Sequence, residues 1–168
     1  MSLYLAYDSA EKANAAAKRD GGNKLLIAVR PEDRDLVMAI VGNEFNIALC
    51  HTFTAAQAHM DETVKLVVCG VHFDNGKVFD FLRYVRESPS TENVPFFILL
   101  GAGSRYSPAI IDGIRAAAKL LRVTGFTDLT RFADKVGKEA AYEALRQGIR
   151  DTLVQRGEDA PVRPALPG

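Results

Sequence analysis

The chain has no excess of either charge: 21 lysines and arginines balance 21 aspartates and glutamates across 168 residues. A protein that grips nucleic acid or an anionic membrane needs a basic face, and that footprint is missing. Nucleic-acid binding, which is built from salt-dependent phosphate contacts, is therefore set aside. No apolar stretch approaches the ~20 residues of a membrane-spanning helix. The first residues lack the charged-then-apolar order of a secretion signal, so the cytoplasm is the expected compartment. Cysteine is scarce as well. Cys50 and Cys69 fit neither a CxxC nor a zinc spacing. Each ends an apolar run, which predicts buried free thiols rather than metal ligands or a disulfide. What is present is an ordinary globular composition, 48% hydrophobic and 25% charged. A chain of this length buries a core without staples, most simply as one domain with room for terminal elements.

The organising stretch is Lys65–Gly76, KLVVCGVHFDNG. Leu66–Cys69 is a short apolar run with two β-branched residues, closed by Gly70 and by Asn75-Gly76. That pattern suits a strand buried on both faces in a parallel sheet. In open α/β sheets, ligands and chemistry sit beyond the carboxyl ends of the strands. The residue at that point here is Gly70, which has no reactive side chain.

Taken in order, residues 1–23 form an extension with an alanine-rich helix expected over Ser9–Arg19. Its alanine face can bury little area. Leu25–Val29 reads as the first strand, and Pro31 opens a helix whose inward face is Leu36, Val37, Ile40 and Val41, ended by Gly42. Phe45–Leu49 reads as strand two, and Thr54–Gln57 as a capping box opening a short helix to Met60. After strand three, Val78–Arg86 is a helix with Val78, Phe81, Leu82 and Val85 inward. Phe96–Leu100 is strand four. Ser107 and Pro108 start a helix with Ile110, Ile111, Ile114 and Ala118 inward. Leu120–Thr124 reads as strand five, and a long helix over Thr130–Arg156 carries Phe132, Val136, Ala140, Leu145, Ile149 and Leu153. The domain thus spans residues 24–156, and the proline-containing tail 157–168 is expected to be loose. Apolar strands alternating with amphipathic helices predict an α/β fold: a flavodoxin-like, five-stranded parallel sheet, order 2-1-3-4-5, with helices on both faces.

From Lys24 to about Gly125 the sequence resembles the receiver domain of two-component response regulators, the CheY-like fold. KLLIAVR resembles its first strand and KLVVCG the strand that carries the phosphorylated aspartate. FDFLRYVR resembles xxLLRxIR, Val94-Pro95 before FFILL resembles [IL]PVIxLT, and Ala116–Ala118 followed by LLRVTGF resembles AGAxxYLxKPF. The resemblance also marks what this chain lacks. The family's magnesium-binding acidic pair falls on Val29 and Arg30, the acceptor aspartate on Gly70, and the switch threonine or serine on Leu100. The family's lysine falls on Thr124, its following proline on Gly125, and the switch aromatic on Leu121. Aspartyl phosphorylation needs a carboxylate nucleophile and an oxygen-ligated divalent cation. Neither Val29 nor Gly70 supplies a carboxylate, and Arg30 repels a cation. The resemblance therefore implies a pseudo-receiver: scaffold present, phosphate chemistry, metal and cofactor absent.

Other residues are weighed against plainer roles. His72 and Asp74 lie in the loop after strand three, where a metal or a displaced acceptor would sit. Two ligands make a poor metal site, and Asp74-Asn75-Gly76 also reads as a turn. Glu32 and Asp33 could replace the acidic pair, or simply complement a helix dipole. Gly101, Gly103 and Ser104 with Arg30 form a candidate anion site, although Tyr106 breaks a GxGxxG pattern and no GKS/T follows. His51 and His59 have no nucleophile in pattern with them. Leu121, Phe126 and Phe132, with the long last helix, make a candidate interaction face for a kinase, an effector, a regulator or a second copy of the chain. The function expected is a non-catalytic receiver-like signalling module acting through protein contacts. The alternative is a small-molecule or anion binder, or minor enzyme, using the strand-end pocket.

Overall fold

The computed structural model describes residues 23–101 and 106–159. The helix expected over Ser9–Arg19, the loop residues Gly103 and Ser104, and the tail from residue 160 lie outside the described residues. Five parallel strands form one sheet in the order β2-β1-β3-β4-β5. They are β1 (Lys24–Ala28), β2 (Ile47–Cys50), β3 (Val64–Gly70), β4 (Phe96–Leu100) and β5 (Gly125–Asp128). A 3-10 turn over Pro31–Asp33 leads into α1 (Arg34–Val41). The remaining helices are α2 (Phe53–His59), α3 (Val78–Glu87), α4 (Pro108–Leu120), α5 (Leu129–Val136) and α6 (Lys138–Asp159). This is the CheY-like, flavodoxin-like topology.

The central strands are apolar throughout because helices cover both of their faces. On one side α2, α3 and α4 bury Val67, Cys69, Phe96, Ile98 and Leu100. Phe81 centres that layer, with ring centroids 5.7 Å from Phe96, 5.9 Å from Phe73 and 6.2 Å from Phe53. On the other side α1 and α6 cover Leu25, Ile27 and Leu66 through Val37, Ile40 and Ile149. Polar contacts hold helix α6 against α1 and the turn after it: Arg146 Nε donates to the Ile40 carbonyl at 2.6 Å, and Arg150 forks onto Glu44 beyond α1 while also reaching Glu143 within α6 at 3.1 Å. Formation of that ion pair holds the Glu44 carboxyl below its ordinary range.

Several boundaries differ from the sequence reading. Helix α2 is capped by Thr52, whose hydroxyl accepts from the Ala55 N–H at 3.1 Å, not by Thr54. Strand five lies at Gly125–Asp128, not at Leu120–Thr124. The alanine-rich α4 continues through Leu120, and Arg122 then takes a left-handed conformation (φ 61°) to turn the chain. Ile110, expected inward, is half exposed, and Ala118 alone is buried on α4. The helix read as Thr130–Arg156 is two helices broken at Gly137 (φ 94°), whose N–H bonds the Ala133 carbonyl. Val136 and Ala140 kept helical spacing across that break but are exposed; Ala141, Tyr142, Leu145 and Ile149 carry the inward face. Helix α6 runs on to Asp159, past the expected end at Arg156.

Candidate functional site

The carboxyl ends of β1, β2 and β3 deliver Arg30, His51 and Val71 to a polar cleft of about 530 Å³. Glu32, His72, Asp74 and Tyr106 complete its working lining. Parallel pairing of β1 with β3 and of β3 with β4 sets Val29, Gly70 and Leu100 close beneath it. All three are buried, Val29 and Leu100 each to 1% exposure. A Cβ on Gly70 would meet Val29 Cγ1 at 3.4 Å and the Leu99 carbonyl oxygen at 3.9 Å, which is ordinary contact. The backbone therefore has room for a Cβ at the strand end, and the sequence supplies none.

Arg30 points along its own turn rather than into the cleft's centre. Its Nε donates to Asp33 Oδ2 at 2.7 Å and its Nη2 to Oδ1 at 3.4 Å. That hydrogen bond raises the guanidinium's already high pKa, so the charge is fixed. Asp33 is the better-placed member of the Glu32–Asp33 pair: its Oδ1 lies 3.7 Å from where a Gly101 Cβ would stand. It bridges the ends of β1 and β4, but its carboxylate is committed to Arg30. Asp74 is committed too. In a left-handed turn (φ 43°), its Oδ2 accepts the Phe53 N–H at 2.8 Å and so caps α2 from a distance.

His51 was read as a surface residue without a role, yet it lines the cleft. Its Nδ1 stands 2.8 Å from the Val29 carbonyl oxygen. A carbonyl only accepts, so Nδ1 is the donor in this contact. Tyr106 Oη lies 3.4 Å from His72 Nδ1, with the rings 5.3 Å apart, closing the cleft from the α4 side. Among the described residues no group of three or more His, Cys, Asp or Glu is placed to hold a metal ion. The resemblance implies magnesium, and the residues it sets at the metal positions, Val29, Arg30 and Gly70, offer no carboxylate to hold it.

Thr124 is corrected by the shift of strand five. Its hydroxyl accepts the Phe96 N–H at 2.9 Å and its N–H donates to the Phe96 carbonyl at 2.8 Å. Phe96 begins β4, so Thr124 belongs to the end of the sheet opposite the cleft. Asp128, paired with Leu100, stands at the carboxyl end of β5 instead, where it caps α5 by accepting the Arg131 N–H at 3.2 Å.

The three interaction-face residues do not form one cluster. Leu121 and Phe126 pack on the α2–α4 side, Phe126 beneath the Arg115 guanidinium at 4.9 Å. Phe132 packs on the α1–α6 side. Between them runs β5, an edge strand partly exposed along its length. The exposed apolar residues nearby are Ile110 at 50% and Leu120 at 85%, which the sequence reading had placed inward and in a strand. Leu120 follows Ala118 off the buried stripe of α4, a signal legible only once the helix is extended that far.

Both cysteines are buried and free. Burial pushes the Cys50 thiol up to about 12 and the Cys69 thiol well above its ordinary value. Neither is a nucleophile at neutral pH.

No family model and no curated relative matches the chain. Solved structures do. The chemotaxis response regulator CheY4 of Vibrio cholerae superimposes with a TM-score of 0.54 at 15% identity, covering 75% of this chain and 97% of that one. A signal receiver domain of a two-component histidine kinase from Clostridium thermocellum gives 0.55 at 16% identity, covering 77% and 96%. At these identities the likeness is one of fold.

Proposed function

We propose that this chain is a non-catalytic signalling module of receiver fold, acting by contact with a partner protein in a two-component-type pathway and not switched by phosphorylation of the usual aspartate. One observation carries the reading: at the end of β3, where a Cβ would fit, stands Gly70, and beside it Arg30 is paired with Asp33. An aspartyl phosphoryl acceptor needs its carboxylate and a cation at hand. Of the carboxylates around the cleft, Asp33 is engaged by a guanidinium and Asp74 by a helix start. Those contacts occupy both oxygens of Asp33 and one of Asp74.

The fold without its chemistry leaves its surface. Ile110 and Leu120 on α4, together with the open edge of β5, offer apolar contact area next to Arg115 and Phe126. The reading implies a cytoplasmic protein, its partner a kinase, effector, regulator or second copy. An anion site at Arg30 has less support, because Asp33 takes the guanidinium's Nε and one of its terminal nitrogens. The test is incubation with acetyl phosphate and magnesium, followed by intact-mass measurement. The expected spectrum is unchanged; a stable gain of about 80 Da on an aspartate refutes the proposal.

A further inference from the structure

Away from the strand ends, the described residues cover the sheet incompletely on its α6 side. Along β3 and β4 the residues facing α2–α4, such as Val67, Cys69, Phe96 and Ile98, are buried, whereas Val68 and Phe97 on the opposite face are partly exposed. Central strands of a parallel sheet ordinarily have both faces covered. The reason lies in α6. Ala144 and Gly148, one turn apart, face this region without bulk, and a Cβ on Gly148 would meet nothing within 4 Å. The Arg146 and Arg150 contacts to Ile40 and Glu44 hold α6 towards α1 and the turn after it, away from the gap. What remains is a cavity of about 120 Å³ between the two helices and the sheet.

Its wall is chemically uniform. Every side chain in it is apolar except Thr127, whose hydroxyl makes no hydrogen bond among the described residues. No charged side chain lines it, so a charged guest would be left unpaired at high cost. The volume is near the ~150 Å³ that holds benzene in an enclosed apolar cavity of another protein, although this space opens to solvent past the exposed Ala144 and Gly148. We infer that this cavity is a binding site for a small, uncharged ring-shaped molecule bearing one polar group, which the Thr127 hydroxyl meets while Val68, Phe97 and the bare face of α6 enclose the ring. The site is separate from the strand-end cleft and independent of the signalling proposal.

The experiment is a titration of the ¹⁵N-labelled full chain with phenol and, separately, benzene, read by amide chemical shifts. Saturable shifts at Val68, Phe97, Thr127 and Gly148 are expected, with phenol bound more tightly. Thr127→Val should weaken phenol by about fivefold, the worth of one neutral hydrogen bond, and leave benzene unchanged. Gly148→Leu fills the space and should abolish both responses; Ala144→Ile serves the same purpose if that variant does not fold. Absence of saturable shifts in the unaltered chain overturns the inference, including the case in which the chain's own residues fill the space. Shifts that persist in the filled variants, or a Thr127→Val variant that weakens both probes alike, overturn it equally.

Discussion

Gly125→Ala tests how the start of β5 is packed. A Cβ at this glycine would lie 2.7 Å from both Cδ1 and Cε1 of Phe97. Carbon atoms at rest sit roughly 3.5–4.0 Å apart, so the ring must yield by about 1 Å. Overpacking of this kind costs about 1–3 kcal/mol. Two effects oppose it. Alanine loses less chain entropy on folding than glycine, a gain of about 0.5–1 kcal/mol. Phe97 also borders the cavity beneath α6, so the ring has somewhere to move, which puts the clash at the lower half of its range. The net expectation is a loss of about 1 kcal/mol, or roughly 2–4 °C in Tm for a chain of this size. Urea unfolding followed by circular dichroism, at constant slope, reads it directly. The mechanism is checked in a Phe97→Leu background, where the ring is gone and Gly125→Ala should be neutral or stabilising. An equal loss in both backgrounds, or a gain in the unaltered chain, refutes the reasoning.

Arg86 holds three backbone carbonyls at once, those of Glu92 at 3.0 Å, Val94 at 2.7 Å and Arg122 at 3.0 Å, tying α3 to the entry of β4 and to the turn after α4. Arg86→Ala should cost about 2 kcal/mol by urea unfolding, and Arg86→Lys should recover only part of it because an ammonium cannot fork; full recovery by lysine would contradict the geometry. The buried thiols make stability fall at alkaline pH. The Cys50 thiol has its folded pKa raised from 9.0 to about 12. Its contribution is complete below the unfolded value and is lost as pH rises through that window, by about 1.4 kcal/mol per pH unit. Cys50→Ala should therefore flatten the decline in urea midpoint between pH 8 and pH 10, and a thiol reagent should label neither cysteine until the protein unfolds. Rapid labelling of the native chain would count against both statements.

The sheet order and the two-sided burial were legible because unbroken apolar runs such as Leu25–Ala28 and Phe96–Leu100 have one reading at this spacing. The last third of the chain was harder for a physical reason. LLRVT has the apolar content of a strand, but it follows a run of alanines that propagates a helix, and the backbone reverses only at Arg122. GFTD, the true β5, is short, lies at the sheet edge and is nowhere fully buried, so its composition carries little strand signal. Gly137 was overlooked because apolar positions on both sides of it happen to keep helical phase. At the strand ends Gly70 followed from the strand pattern, whereas Val29, Arg30 and Leu100 came from the family resemblance. The partners did not: Arg30 with Asp33 is a rotamer choice, and His51 reaches Val29 across β2 and β1, 22 residues away in sequence. Only the folded register brings those groups together.

The decisive measurement is calorimetric titration of the full chain with magnesium, alone and with beryllofluoride present. An emptied acceptor site, with Arg30 paired to Asp33 and glycine at position 70, predicts no saturable heat in either arm. Saturable magnesium binding that tightens with beryllofluoride would show a working phosphoryl site and contradict the account.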